Sequence, residues 1–217
     1  MSAGFTLYGS PHSLPTYRVA LMLRLCNTGF SFRYSSFQRG IHRTPEFRVL
    51  SRWSQVPVLE HEGRVLVQSA AILEHLAETL GRFVAREEEA RRHIREWLFW
   101  DSDRLMPPLY SWYSVELGRR KLLPLSFDPV LVAEFDRKGH AALDALDSHL
   151  LVHRYLVGDS ATTADICCYA DVAFARLGGK SLAAWTNVDA WAERIEALPG
   201  FAAPFDLLAM QDAEIGP

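Results

Sequence analysis

The sequence predicts an α/β unit followed by an all-helical one, and three observations carry that prediction. In the first part of the chain, short β-prone runs alternate with helical patterns in the order β-α-β-α-β-β-α. From Glu87 onward the β signals vanish and apolar residues recur at helical spacing, as at Ile94, Trp97 and Leu98 and then Leu105. The chain has 217 residues, 49% of them hydrophobic, enough for one large core or two modest ones without metal or disulfide staples.

The elements follow in order. Phe5-Thr6-Leu7-Tyr8 is a short apolar strand, Gly9-Ser10-Pro11 a turn, and Tyr17 to Leu25 a helical run. Phe30 to Tyr34 alternates as a second strand, and the polar segment 38–46 leads towards a short irregular helix. Val56 to Glu60 and Val65 to Val67 form a hairpin across His61-Glu62-Gly63-Arg64, followed by a helix from Ser69 to Glu78. Gly81 ends that helix, and the charged run Arg86-Glu87-Glu88-Glu89 opens the next, so the units are expected at 1–82 and 87–217. The later helices are expected at 87–116, bent or broken at Pro107-Pro108, then at 129–151, 162–177, 187–197 and 203–210.

Composition narrows the function. The formal net charge is −3 with interspersed signs, so the electrostatic footprint of a nucleic-acid or anionic-membrane binder is missing. The three cysteines, Cys26, Cys167 and Cys168, have neither disulfide-framework nor zinc-site spacing, which fits a reducing compartment without a metal. No apolar run reaches the length of a membrane span and no secretory signal is evident, so a cytoplasmic location is expected.

Several positions are candidates for chemistry, each with a plainer structural reading beside it. Gln55-Val56-Pro57-Val58 puts a proline at a strand entrance. It is either an ordinary trans proline or a cis bond that turns the Val56 N–H and C=O outward to pair with an extended peptide. Ser69, after Gln68, is expected to cap a helix whose free N–H groups also attract a carboxylate, while the Gln68 amide faces an amino-acid head group. Ser13 lies ahead of the first helix, with Pro15 in its first turn. It is either a simple cap or a hydroxyl that, with the positive helix end, favours a thiolate over its thiol. Lowering a thiol pKa by about two units asks ~2.7 kcal/mol, within reach of one charge-assisted hydrogen bond of ~1.5–3 kcal/mol. Tyr8 and Ser10 are alternatives to it.

His42 and Arg43 are either a solvated pair or a cationic clamp for a carboxylate. Thr162-Thr163-Ala164-Asp165 reads as a capping box opening a buried helix, with Cys167 and Cys168 as small core residues. Trp97, Trp100, Tyr110, Trp112 and Tyr113 form an aromatic-rich stretch, mostly core, of which one or two side chains line an apolar pocket.

Taken together these pieces resemble the soluble glutathione transferases over nearly the whole chain. Leu7-Tyr8-Gly9-Ser10-Pro11-His12-Ser13, with Thr16 and Arg18-Val19, is similar to the serine-type start of the phi class and its bacterial relatives. The resemblance gives Ser13 the role of activating the glutathione thiol. It assigns Gly40-Ile41-His42-Arg43 to the glycine carboxylate, Gln55-Val56-Pro57 to the cysteine backbone through a cis-proline loop, and Gln68-Ser69 to the γ-glutamyl group. Gly158 to Asp165 matches the family's capping box, and Leu198-Pro199-Gly200-Phe201 its late helix junction. Two departures stand out: Gln68 replaces the acidic residue usual in serine-type members, and Ser51-Arg52-Trp53-Ser54 replaces the usual Asn-Pro-x-Gly.

The resemblance implies a thioredoxin-like domain followed by a helical one, with the active site in the cleft between them. It also implies glutathione as co-substrate, a small-molecule electrophile as partner, and a homodimer in which Trp53 contacts the second subunit. Pro11, Tyr110 and Tyr113 are the expected electrophile-pocket residues. The leading expectation is conjugation of glutathione to apolar electrophiles. Glutathione-dependent disulfide, peroxide or dehalogenation chemistry and a non-catalytic glutathione-binding role are the alternatives, and a serine at the activating position counts against thiol exchange by a protein cysteine.

Overall fold

The computed structural model describes residues 4–37 and 39–208. The chain divides into two compact units, Met1–Gly81 with Pro199–Pro217, and Arg82–Leu198. The expected boundary therefore differs at the C-terminal side, because the described tail packs on the first unit.

The first unit is built on a four-stranded mixed sheet in the order β2-β1-β3-β4, with β1 Phe5–Gly9, β2 Phe30–Tyr34, β3 Val58–His61 and β4 Arg64–Val67. β1 runs parallel to β2 and antiparallel to β3, and β3 pairs antiparallel with β4. The β3–β4 hairpin is tighter than expected, since pairing extends through His61 and Arg64 and only Glu62 and Gly63 turn, both at positive φ. That two-residue geometry matches the twist of the flanking strands. Helices α1 (Leu14–Leu25) and α3 (Ser69–Leu80) pack on each other, α1 also against β1 and α3 against β4. Their shared core holds Leu7, Leu21, Val58, Leu59, Ile72 and Leu76, all fully buried. Between β2 and β3 the chain makes a 3₁₀ turn, Ile41–Arg43, and the short helix α2, Pro45–Leu50, capped by the Thr44 hydroxyl on Phe47 N. Gly81, at φ 65°, ends α3 in the left-handed conformation that glycine adopts without penalty.

The second unit consists of α4 (Glu88–Trp100), α5 (Met106–Arg119), α6 (Pro129–Leu150), α7 (Thr163–Leu177) and α8 (Thr186–Glu196). The expected break at Pro107-Pro108 takes another form. A π-helical turn, Asp101–Leu105, joins α4 to α5, and the prolines fall in the first turn of α5. A proline ring clashes with the carbonyl four residues back, so the wider turn one step upstream relieves both prolines.

α7 is the centre of this unit and is buried from Thr163 to Ala175, Cys167 and Cys168 included. Its Thr162–Asp165 capping box is formed as expected. Asp165 is also a hub, accepting from Leu156 N, Thr162 N, Thr162 Oγ1 and Trp191 Nε1 at 2.8–2.9 Å. The last helix among the described residues, α9, spans Pro204–Leu207. The expected continuation through 209–210 lies outside the described residues. Among the described residues no helix is long and apolar enough to cross a membrane.

Candidate active site

Strand direction brings four of the candidate segments to one end of the sheet. β1 and β2 finish together, Gly9 opposite Tyr34. β3 begins there, with Val58 opposite Tyr8, and β4 ends there, with Val67 opposite Val58. The Ser10–Ser13 loop, the turn carrying His42 and Arg43, the Gln55–Pro57 segment and the Gln68–Ser69 corner thus all adjoin the same strand ends.

Ser13 is the N-cap of α1, in extended conformation, and its Oγ accepts from Thr16 N at 3.2 Å. The hydroxyl has its oxygen occupied by that N–H and its own hydrogen left to donate. Ser13 N donates to Ser10 O at 3.0 Å, and the residue is 2% exposed. Gly9 permits this turn. A Cβ there would lie 2.2 Å from Thr16 Cγ2, so only glycine lets Thr16 close the first turn of α1 against the end of β1.

The two alternatives to Ser13 are engaged elsewhere. Ser10 is buried and its Oγ accepts from His12 N at 3.3 Å, which shapes the loop. Tyr8 donates to Glu60 Oε2 at 2.9 Å, and burial, with Glu60 second, raises its pKa away from the ionised form. Pro11 is buried in the same loop.

The Val56–Pro57 peptide bond is cis. The segment before it is organised by Ser51, which is buried and whose hydroxyl both donates to Gln55 O at 2.8 Å and accepts from Gln55 N at 3.1 Å. Ser54, at φ 55°, turns the chain within that clasp. Gln55 and Gln68 meet, with Gln68 Nε2 donating to Gln55 Oε1 at 3.3 Å. Ser69 is not the cap expected of it. Gln68 occupies the N-cap position at φ 70° and ψ 111° without a side-chain capping bond, and Ser69 is the first helical residue, buried at the N-terminus of α3. The N–H groups of that first turn face no intrahelical acceptor.

His42 is half-buried, its ring edge-on to Phe37, and its Nδ1 is buried without a partner. Burial, and secondarily Arg43, lowers its pKa, so it is neutral at pH 7, whereas Arg43 is exposed and cationic. Trp53 is 49% exposed with the Arg52 guanidinium 4.2 Å over its ring. Tyr110 and Tyr113 belong to the helical unit. Their rings stack at 6.2 Å, Phe174 meets both edge-on, and Tyr113 is buried while Tyr110 keeps partial exposure. Among the described residues no group of three or more His, Cys, Asp or Glu side chains is placed to hold a metal ion.

Residues 3–78 match the glutathione S-transferase N-terminal domain, and residues 122–199 match the glutathione S-transferase C-terminal domain. Together the two matches span more than half of the chain. The chain belongs to the glutathione transferase family.

Glutathione S-transferase 3 of Zea mays is 29% identical over 207 residues, covering 92% of each chain. A glutathione S-transferase from Xanthobacter autotrophicus Py2 superimposes with a TM-score of 0.84 at 29% identity, covering 94% of this chain and 98% of that one. A second, from Pseudomonas fluorescens Pf-5, gives 0.83 at 26% identity, over 93% and 99%. Within this transferase fold two contributors had no signal of their own in the sequence. Ser51 is an unremarkable loop serine until its clasp on Gln55 is seen, and Glu60 carries no mark of its bond to Tyr8.

Proposed function

We propose that this glutathione transferase conjugates glutathione to apolar electrophiles, with Ser13 stabilising the thiolate. The observation that carries the reading is the Ser13 hydroxyl, buried at the N-cap of α1 with its oxygen held by Thr16 N and its hydrogen available to a sulfur. The thiol gives its proton to solvent, the thiolate sulfur attacks the electrophilic carbon, and the leaving group departs with its electron pair. Ser13 donates a hydrogen bond throughout and forms no covalent bond.

The remaining roles follow from chemistry at the same sheet end. The Val56 backbone pairs with the cysteine residue of glutathione. Gln68, Ser69 and the first turn of α3 receive the γ-glutamyl carboxylate, where helix N–H groups favour an anion. His42 and Arg43 receive the glycine carboxylate, Arg43 by charge and neutral His42 by hydrogen bonding. The exposed Trp53 is the contact of a homodimer, and a cytoplasmic, detoxifying role fits this chemistry.

The test compares the native chain with Ser13→Ala by glutathione calorimetry and by conjugation of an aryl halide. The variant is expected to bind glutathione within about threefold of native and to lose about 10²-fold in kcat, as when one donor to a developing anion is removed. Undiminished turnover in the variant would reduce Ser13 to a helix cap. Failure of the native chain to bind glutathione would sink the reading as a whole.

A further inference from the structure

The described tail, residues 199–208, runs antiparallel to α1 and touches the helix at two points and the loop before it at a third. Gly200, at φ 89°, passes the C-terminal end of α1 so closely that a Cβ would lie 3.0 Å from Arg24 O. Near the start of the helix the fully buried Tyr17 donates its hydroxyl to Ala202 O at 2.9 Å. Beyond the N-terminus of α1, the ring of His12 meets Phe205 edge-on, with centroids 5.2 Å apart. Pro204 and Leu208, on either side of Phe205, are buried. His12 immediately precedes Ser13 and is itself only 3% exposed.

We propose that residues 199–208 form a strap that sets the Ser13 loop, with Phe205, acting through His12, as a positioning residue for activation of the glutathione thiol. The inference rests on the reading of Ser13 given above.

The physical argument begins with the shortness of the Ser10–Ser13 loop. The Ser13 N to Ser10 O and His12 N to Ser10 Oγ bonds shape it from within, and the His12 ring gives residues 199–208 a hold on it. An edge-on aromatic contact fixes ring direction as well as position. Burial lowers the pKa of His12, so the ring stays neutral and packs against Phe205 as an aromatic group. A hydrogen bond from Ser13 to a thiolate depends steeply on distance and angle, and misplacement by about 1 Å can cost on the order of 10²-fold in rate. Glutathione binding is spread over three other segments of the sheet end, so loosening the strap should move the chemical step and leave affinity largely intact.

The experiment uses the full chain with Phe205→Ala, Phe205→Tyr, Tyr17→Phe, Ser13→Ala and the double variant Ser13→Ala/Phe205→Ala. The pKa of bound glutathione is read from thiolate ultraviolet absorbance against pH, alongside kcat, KM and glutathione affinity. Phe205→Ala is expected to raise the bound thiol pKa and to lower kcat about tenfold, with affinity within about threefold of native. Phe205→Tyr restores both, and Phe205→Ala adds nothing once Ser13 is gone. Should Phe205→Ala not fold, Tyr17→Phe, which frees the middle of the strap without opening a cavity, must show the same raised thiol pKa in smaller measure.

Native thiol pKa and kcat in Phe205→Ala, or in Tyr17→Phe where that variant carries the test, would overturn the strap. So would equal losses from Phe205→Ala with and without Ser13. A Ser13→Ala variant whose bound thiol pKa is native overturns the reading of Ser13 instead, a separate result.

Discussion

Gln68 is where conformation and function are most visibly at odds. A non-glycine residue at φ 70° and ψ 111° costs on the order of 1–3 kcal/mol, and here its side chain donates to Gln55. The same conformation aims the start of α3 and keeps the Gln68 amide beside Gln55, at the end of the sheet proposed to bind glutathione. Gln68→Gly removes the strain but enlarges the unfolded ensemble, which returns ~0.4–1 kcal/mol of the gain. The expected outcome is a variant more stable by about 1 kcal/mol in denaturant unfolding that binds glutathione about tenfold more weakly by calorimetry. A variant less stable than native would mean that the Gln55 contact outweighs the backbone strain.

Helix termini carry the next scale, and the start of α7 is the most heavily built of them. Asp165 accepts four hydrogen bonds and is fully buried, and its carboxyl pKa is raised because burial outweighs those donors. Asp165→Ala would leave Leu156 N, Thr162 N and Trp191 Nε1 without an acceptor. At ~1–3 kcal/mol for each orphaned buried group, the loss should reach at least about 3 kcal/mol by denaturant unfolding. Trp191→Phe, which removes one donor and keeps most of the volume, should cost clearly less. Near-native stability in Asp165→Ala would show that the surrounding backbone finds other acceptors.

These termini were legible in the sequence where the signal is local. The Thr162–Asp165 box and Gly81 each mark a boundary within a few residues. The π turn at Asp101–Leu105 was not, because proline chemistry says that the ladder must yield and leaves open where it does so. Ser69 misled for a similar reason. Serine is a good cap, but the cap position belongs to whichever residue leaves helical φ and ψ, and that is Gln68.

At the scale of the whole molecule, element types were far more legible than their destinations. The order of strands and helices follows from local periodicity, and the four site segments follow from motifs. The packing of residues 199–208 on α1 does not, since neither the close passage of Gly200 past Arg24 O nor the Ala202 carbonyl that accepts from Tyr17 names its distant partner in the sequence. Long-range pairs such as His61 with His75 were invisible in the same way. His61 Nδ1 and His75 Nε2 lie 3.0 Å apart, with the His61 ring buried and stacked on Phe5.

His75 gives the chain a pH dependence whose sign can be worked out. Burial, with His61 second among the lowering influences, depresses the pKa of His75 below its ordinary 6.5, and burial likewise depresses His12, His42 and His149. Each therefore binds fewer protons folded than unfolded once the pH falls below the unfolded value of about 6.5. Their contribution to stability is complete above that pH and is lost as the pH drops towards the depressed folded values. Denaturant midpoints should be level from about pH 8 to 7 and should fall steadily from about 6.5 downward. His75→Gln keeps a hydrogen-bonding group near His61 while removing one titrating ring, so its slope below pH 6.5 should be shallower by up to about one proton. A slope identical to native would mean that His12, His42 and His149, and not His75, set the acid limit of the fold.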